Sequence, residues 1–264
     1  MKSTFQILTF LLFVVFSCQG QITSASLLTT EAIPSNRFLS IDVLSNRYFE
    51  ENGVLFKKNG GQIWQYKNLS FGKIDKIDTQ NPLKIGVFFE EFNTVILLDN
   101  QLNEIKKISF SDTNKATVIA SAFGIAAQNK LWFYDTNSQK IGLFNYVNED
   151  YKFISTPIQG NFKHYESDFN NFQWIDKNLN WFSCNIFGKI KLIRKVPDFD
   201  KIQILNSDLV LFSKGEHLYF HDFKSNKTIE VQNVNKSFDF FIYKDQILSI
   251  FTNREIKNYK ILLP

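Results

Sequence analysis

Three histidines, two cysteines and a few neighbouring carboxylates are the side chains of this 264-residue chain that could carry metal, nucleophilic or acid–base chemistry. His217 and His221 are four apart. On a helix that spacing would aim both rings at one ion. On a strand rising roughly 3.3 Å per residue it parts them by about 13 Å, too far to share one. His164, in Phe162-Lys163-His164-Tyr165-Glu166, has no second ligand at a useful distance in sequence. Glu90 and Glu91 are adjacent, so on a strand they face opposite ways and do not act together. Asp198-Phe199-Asp200 offers only two of the several alternating oxygens that a calcium loop needs. There is no Gly-x-Ser-x-Gly elbow, no Gly-x-Gly-x-x-Gly and no Walker loop, and Gly60-Gly61 reads as a tight turn. Cys184, in Trp181-Phe182-Ser183-Cys184, has no cationic neighbour to activate it and reads as a small buried hydrophobe. The expectation is a chain without a metal, a cofactor or a catalytic group.

Aromatic side chains are the remaining candidates for binding. Trp64, Trp132, Trp174 and Trp181 could stack on sugar rings. Three of them, Trp64, Trp132 and Trp181, fall at comparable places in a repeating pattern and are expected to be core. Trp174 has no counterpart and is expected to be exposed; with Phe162 and Tyr165 it is the candidate contact for a protein partner or a glycan.

The elements that would hold these residues are short strands. Leu131–Tyr134, a polar turn and Lys140–Phe144 make a hairpin pattern rich in β-branched and aromatic residues. Similar hairpins start at Gln62, Thr94, Asn180 and His217, with a weaker one at Arg254. Their return-strand isoleucines, 74, 105, 141, 190, 229 and 261, are separated by 31, 36, 49, 39 and 32 residues. No stretch has the apolar period of a capped helix. A period near forty made of hairpins alone resembles the blades of β-propellers, without the Gly-His and Trp-Asp signatures of the standard propeller repeat. That resemblance implies an all-β propeller of about six four-stranded blades over 37–264. Its ring is expected to close by pairing Phe38–Ile41 with Ile247–Ile250. The long interval before Ile190 marks Asn148–Asn171 as an inserted loop on a binding face.

The first residues are an address. Lys2 precedes an apolar run, Leu8–Phe16, which ends at Ser17-Cys18, too short to span a bilayer. Val15-Phe16-Ser17-Cys18 resembles the lipobox of bacterial lipoproteins, departing from it at Phe16. The resemblance implies removal of 1–17, a diacylglycerol thioether on Cys18 and acylation of the new amino terminus; the alternative is cleavage after Gly20. Gln19 is not the aspartate that retains lipoproteins in the inner membrane, so the outer membrane is implied; these residues do not encode the face, for which the periplasmic side is the expectation and the cell surface the alternative. Residues 18–36, rich in Ser and Thr, read as a flexible tether.

With 30 basic and 26 acidic residues dispersed along the chain, the charge of +4 gives no concentrated footprint for nucleic acid. The expected function is a lipid-anchored, non-catalytic interaction or assembly scaffold for envelope proteins, similar in plan to propeller lipoproteins that assist outer-membrane protein assembly. A glycan-binding lipoprotein of nutrient uptake is the alternative, and an enzyme with its site in the channel a more distant one.

Overall fold

Strands of three to seven residues pair here through turns whose chemistry is repeated in the sequence. Asp42, Asp99 and Asp176 each accept the N–H of the asparagine four residues on, at 2.9, 2.8 and 2.8 Å, and that asparagine's side-chain amide as well. The residue before each asparagine (Ser45, Leu102 and Leu179) takes left-handed backbone, φ 63, 62 and 67°. An Asp-x-x-x-Asn run therefore specifies a tight reversal.

This computed structural model describes residues 22–33, 35, 37–111, 117–158, 162–252 and 254–262. The chain enters as β1 (Ile22–Ser24) and β2 (Ser26–Ala32). Blade 1 follows as β3 (Arg37–Ile41), β4 (Arg47–Glu51), β5 (Val54–Asn59) and β6 (Gln62–Lys67). Blade 2 is β7 (Lys76–Asn81), β8 (Lys84–Phe89), β9 (Thr94–Leu98) and β10 (Glu104–Ser109). Blade 3 is β11 (Ala120–Ala126), β12 (Lys130–Asp135), β13 (Lys140–Asn145) and β14 (Asp150–Phe153). Blade 4 is β15 (His164–Ser167), β16 (Asn171–Ile175), β17 (Asn180–Asn185) and β18 (Ile190–Lys195). Blade 5 is β19 (Lys201–Asn206), β20 (Leu209–Lys214), β21 (His217–Asp222) and β22 (Lys227–Gln232). Blade 6 has only three strands of its own, β23 (Phe240–Lys244), β24 (Ile247–Thr252) and β25 (Glu255–Lys260), and takes its fourth from β2. The fold is a six-bladed β-propeller, as the repeat implied.

Three expectations need correction. The tether is strand from Ile22 onward: β1 lies parallel to β22 as a fifth strand of blade 5, and β2 lies antiparallel to β25. Ring closure therefore falls to Ser26–Ala32, while Phe38–Ile41 is the inner strand of blade 1. Ser and Thr suit an outer strand with both faces wet, so the low hydrophobicity that suggested a linker is that of a rim. Last, the hairpins taken as equivalent are different strand pairs. Thr94, Asn180 and His217 begin third strands, Leu131 lies on a second strand and Gln62 begins a fourth, while Glu255–Lys260 is one strand without a turn. Trp64, Trp132 and Trp181 consequently sit at different blade positions. Inner strands begin at 37, 76, 120, 164, 201 and 240, so the true intervals are 39, 44, 44, 37 and 39, and no long insertion precedes Ile190.

Each blade-to-blade contact holds one apolar cluster. Tyr48, Leu55, Ile85 and Ile96 join blades 1 and 2; Phe88, Phe110, Phe123 and Phe133 join blades 2 and 3. Trp132, Phe172, Trp174 and Cys184 join blades 3 and 4, and Trp181, Val210 and Phe212 join 4 and 5. Leu218, Phe220 and Ile250 join 5 and 6, and Phe38, Phe251 and Ile256 complete the ring. A blade cannot bury its faces alone, so these interfaces are the core of the molecule; each buried Phe contributes on the order of 2–3 kcal/mol.

Candidate functional site

The inner strands are stitched together by polar side chains, and this stitching defines the channel wall. Ser40 and Thr79 hydroxyls meet at 2.8 Å between blades 1 and 2. Buried Asp78 accepts the N–H of Ile125 at 2.7 Å across blades 2 and 3, and the N–H and side-chain amide of Gln80 at 3.0 and 2.9 Å. Gln203 bonds both the N–H and the carbonyl of Tyr243, at 2.7 and 3.0 Å, between blades 5 and 6. Gly124 lets blades 3 and 4 approach closely: a Cβ there would stand 1.8 Å from the Ser167 hydroxyl. Burial pushes the Asp78 carboxyl up, against the lowering effect of its donors and of Lys76.

At the channel end where the inner strands begin lies a hollow of about 400 Å³, walled by Tyr134, Phe162 and Tyr165 and rimmed by Glu90, Ser121, Thr136 and Gln139. Four elements meet there: the turn after β8, the start of β11, the turn after β12 and the entry to β15. Lys76 reaches across from β7, with its Nζ 3.4 Å from the Tyr165 ring centroid and donating to the Tyr165 carbonyl at 3.0 Å. That ring also stacks on Phe172 with centroids 5.6 Å apart, so contacts with both blades 2 and 4 hold Tyr165 in place. Its hydroxyl accepts the Phe123 N–H at 3.4 Å, and burial pushes its pKa up. Desolvation holds the Lys76 ammonium down to about 8. Phe162 packs on Tyr134 with centroids 4.6 Å apart, and Tyr134 donates to the Ile158 carbonyl at 3.3 Å. Burial and then the neighbouring Asp75 raise the Glu90 carboxyl, whose backbone N–H donates to Asp75 at 2.7 Å. Aromatic edges surrounded by hydroxyl, amide and carboxylate groups can hold a small polar ligand through apolar contact and directional hydrogen bonds.

Of the residues singled out in the sequence, Phe162 and Tyr165 meet in this hollow and Trp174 does not. Trp174 is 2% exposed, not a surface platform; on β16 it shares its side with Phe172, stacks on Phe182 at 5.3 Å and stands behind Phe162. Glu90, set aside in the sequence as a pair with Glu91, belongs to this rim without its neighbour, and Ser121, Tyr134, Thr136 and Gln139 were not singled out, because only the ring brings them beside residue 165. Val15–Cys18 lies outside the described residues. Cys184 is fully buried, and desolvation pushes its thiol up to about 11. His217 pairs with Glu230 at 2.6 Å, while His221, buried and lowered by desolvation, bonds Thr228 at 2.8 Å. Asp198 is engaged by Lys163 and Lys214. Among the described residues no group of three His, Cys, Asp or Glu side chains is placed to hold a metal ion.

The opposite end of the ring has another character. Its turns, joining first to second and third to fourth strands, expose Val43 (62%), Leu44 (61%), Leu83 (65%), Val147 (61%) and Phe187 (85%). Lys244 of blade 6 bonds the carbonyls of Asp42 and Val43, fixing the loop that carries Val43 and Leu44.

No family model and no curated protein matches the chain. Solved structures share its fold. The propeller domain of Cps50 (Swd1) from Myceliophthora thermophila aligns with a TM-score of 0.58 at 8% identity, over 90% of this chain and 100% of that one. A catalytically inactive virginiamycin B lyase from Staphylococcus aureus, solved with quinupristin, gives 0.55 at 12%, over 89% and 88%. The extracellular domain of a one-component system from B. thetaiotaomicron gives 0.51 at 10%, over 86% of this chain and 33% of that one. At such identities the likeness is one of fold, and the fold serves an enzyme as readily as other proteins.

Proposed function

We propose that this chain is a lipid-anchored, non-catalytic propeller of the bacterial cell envelope that acts as a protein-interaction or assembly scaffold. The observation that carries the reading is the channel end bearing Val43, Leu44, Leu83, Val147 and Phe187. Large apolar side chains on several loop tips are costly to leave in water and are the usual material of a docking patch. The lipobox-like Cys18 supports the anchor and the envelope location, and Gln19 after it an outer-membrane address. Photo-crosslinking in cells from Leu44 and Phe187, with Lys67, exposed at the far end of outer strand β6, as control, tests it. Adducts of one discrete mass from the two loop positions, weakened by Leu83→Asp, are expected; adducts equally frequent from Lys67 would contradict a partner-specific face.

The hollow favours a second reading, a glycan-binding propeller, through its aromatic walls and polar rim. Calorimetric titration with an oligosaccharide panel is expected to show saturable heat abolished by Phe162→Ala. Heat unchanged by that substitution, or no heat from any sugar, would leave the scaffold reading alone.

A further inference from the structure

The stretch whose composition suggests a spacer between anchor and domain is built into the domain wall instead. Ile22 is paired with Glu230, the Ala25 N–H donates to the Gln232 carbonyl at 3.1 Å, and Ala25 is buried against the core of blades 5 and 6. Thr23 donates to the Leu262 carbonyl at 3.1 Å, and Asn233 to the Ser24 hydroxyl at 2.8 Å. Both chain ends are thereby tied to one rim.

Only three residues lie between Cys18 and Ile22, four steps of chain that span at most roughly 14 Å. The polar layer of a bilayer takes about 6 Å of that on one side. A free tether reaching residue 36 would have extended about 60 Å. We infer that the rim formed by β1, β2 and Leu262 lies against the lipid surface, so that the ring stands on its edge and both ends of its channel open sideways, away from the bilayer; this rests on the lipidation of Cys18 proposed above.

The chemistry of the rim fits that place. Leu27 and Leu28 are 56 and 49% exposed on β2, whose other residues are mostly Ser and Thr, and Leu262, just past β25, is 62% exposed. Exposed Lys260 lies opposite Ser26, and exposed Lys227 begins the strand beside β1. Leucines that reach the acyl boundary beside lysines that meet phosphates are the pattern of an interfacial contact. The same arrangement leaves the apolar loop tips and the aromatic hollow, at the two channel ends, free for partners.

Nitroxide labels on the full-length acylated protein in vesicles of phosphatidylethanolamine and phosphatidylglycerol test this. Labels are placed at Leu27→Cys and Leu262→Cys on the rim and at Leu44→Cys and Phe92→Cys at the two channel ends; the buried Cys184 thiol does not compete. Collision with lipid-soluble oxygen relative to water-soluble nickel is expected to be several-fold higher at both rim positions. Equal ratios at all four positions, in protein whose mass shows the acyl chains, would overturn the rim contact and leave the anchor standing. A mass without acyl chains would remove the anchor, and the rim contact with it.

Discussion

Lys76 is the residue whose placement has the plainest measurable consequence. Its folded pKa is held near 8, against 10.5 ordinarily, by burial over the Tyr165 ring. Between those values the unfolded chain binds a proton that the folded chain has released, so stability rises as pH climbs from about 8 to 10.5. Below pH 8 both states are protonated and the full penalty applies. Urea midpoints between pH 8 and 9, below the range where the raised Cys184 thiol acts in the opposite sense, are expected to rise for the native chain and to flatten in Lys76→Met; parallel slopes for the two would show that Lys76 titrates normally. Asp78, raised by burial, has the opposite sign: its contribution declines as pH rises above the ordinary carboxylate value toward the folded one. Both residues sit in β7, which the sequence shows only as Lys-Ile-Asp-Thr-Gln-Asn, with charges where an exposed strand would have them. Their burial comes from blades 3 and 4, and that is why composition gave no sign of it.

Elements are specified locally and placed by the ring. Gly188, in the turn from β17 to β18, has φ +84°, and a Cβ there would stand 1.9 Å from the Ile154 carbonyl of blade 3. Gly188→Ala combines a left-handed alanine with a backbone clash and is expected to cost about 2–4 kcal/mol. Gly60→Ala, also left-handed but facing open space, is expected to cost about 1 kcal/mol. Equal urea midpoints for the two variants would contradict the close approach of the blades. A chain beginning at Ser35 is expected to lose cooperative melting, because β25 would keep an open edge and the blade 5–6 core would lose Ala25. If 18–36 were a spacer, that chain would melt like the full one. Strand existence and approximate blade number were legible because runs of β-branched and aromatic residues broken by polar turns are local signals. Blade register was not. The same Asp-x-x-x-Asn turn joins first to second strands at Asp42, second to third at Asp176 and third to fourth at Asp99, so hairpins alone do not say which pair they are. The misassigned register made Trp64, Trp132 and Trp181 look equivalent, lengthened the interval before Ile190 and left Trp174 looking unmatched. Phe162 and Tyr165 reached the hollow because they enter an inner strand, a position that register and not composition decides.

At the scale of the whole molecule, a ring closed by its own N-terminal strands presents two unlike ends. Both expose apolar side chains on their turns, Val43, Leu44, Leu83, Val147 and Phe187 at one and Leu69, Phe92 and Ile119 at the other, but the aromatic hollow opens at the second alone, among the described residues, and the rim that bears β1 carries the route to Cys18. The proposed membrane-tethered recognition propeller depends most on that route. Intact mass spectrometry of the protein extracted from membranes, native against Cys18→Ala, tests it directly. A mass for residues 18–264 plus acyl chains, lost in the variant, is expected. An unmodified chain beginning at Gln21 would contradict it and leave a propeller free of any lipid anchor.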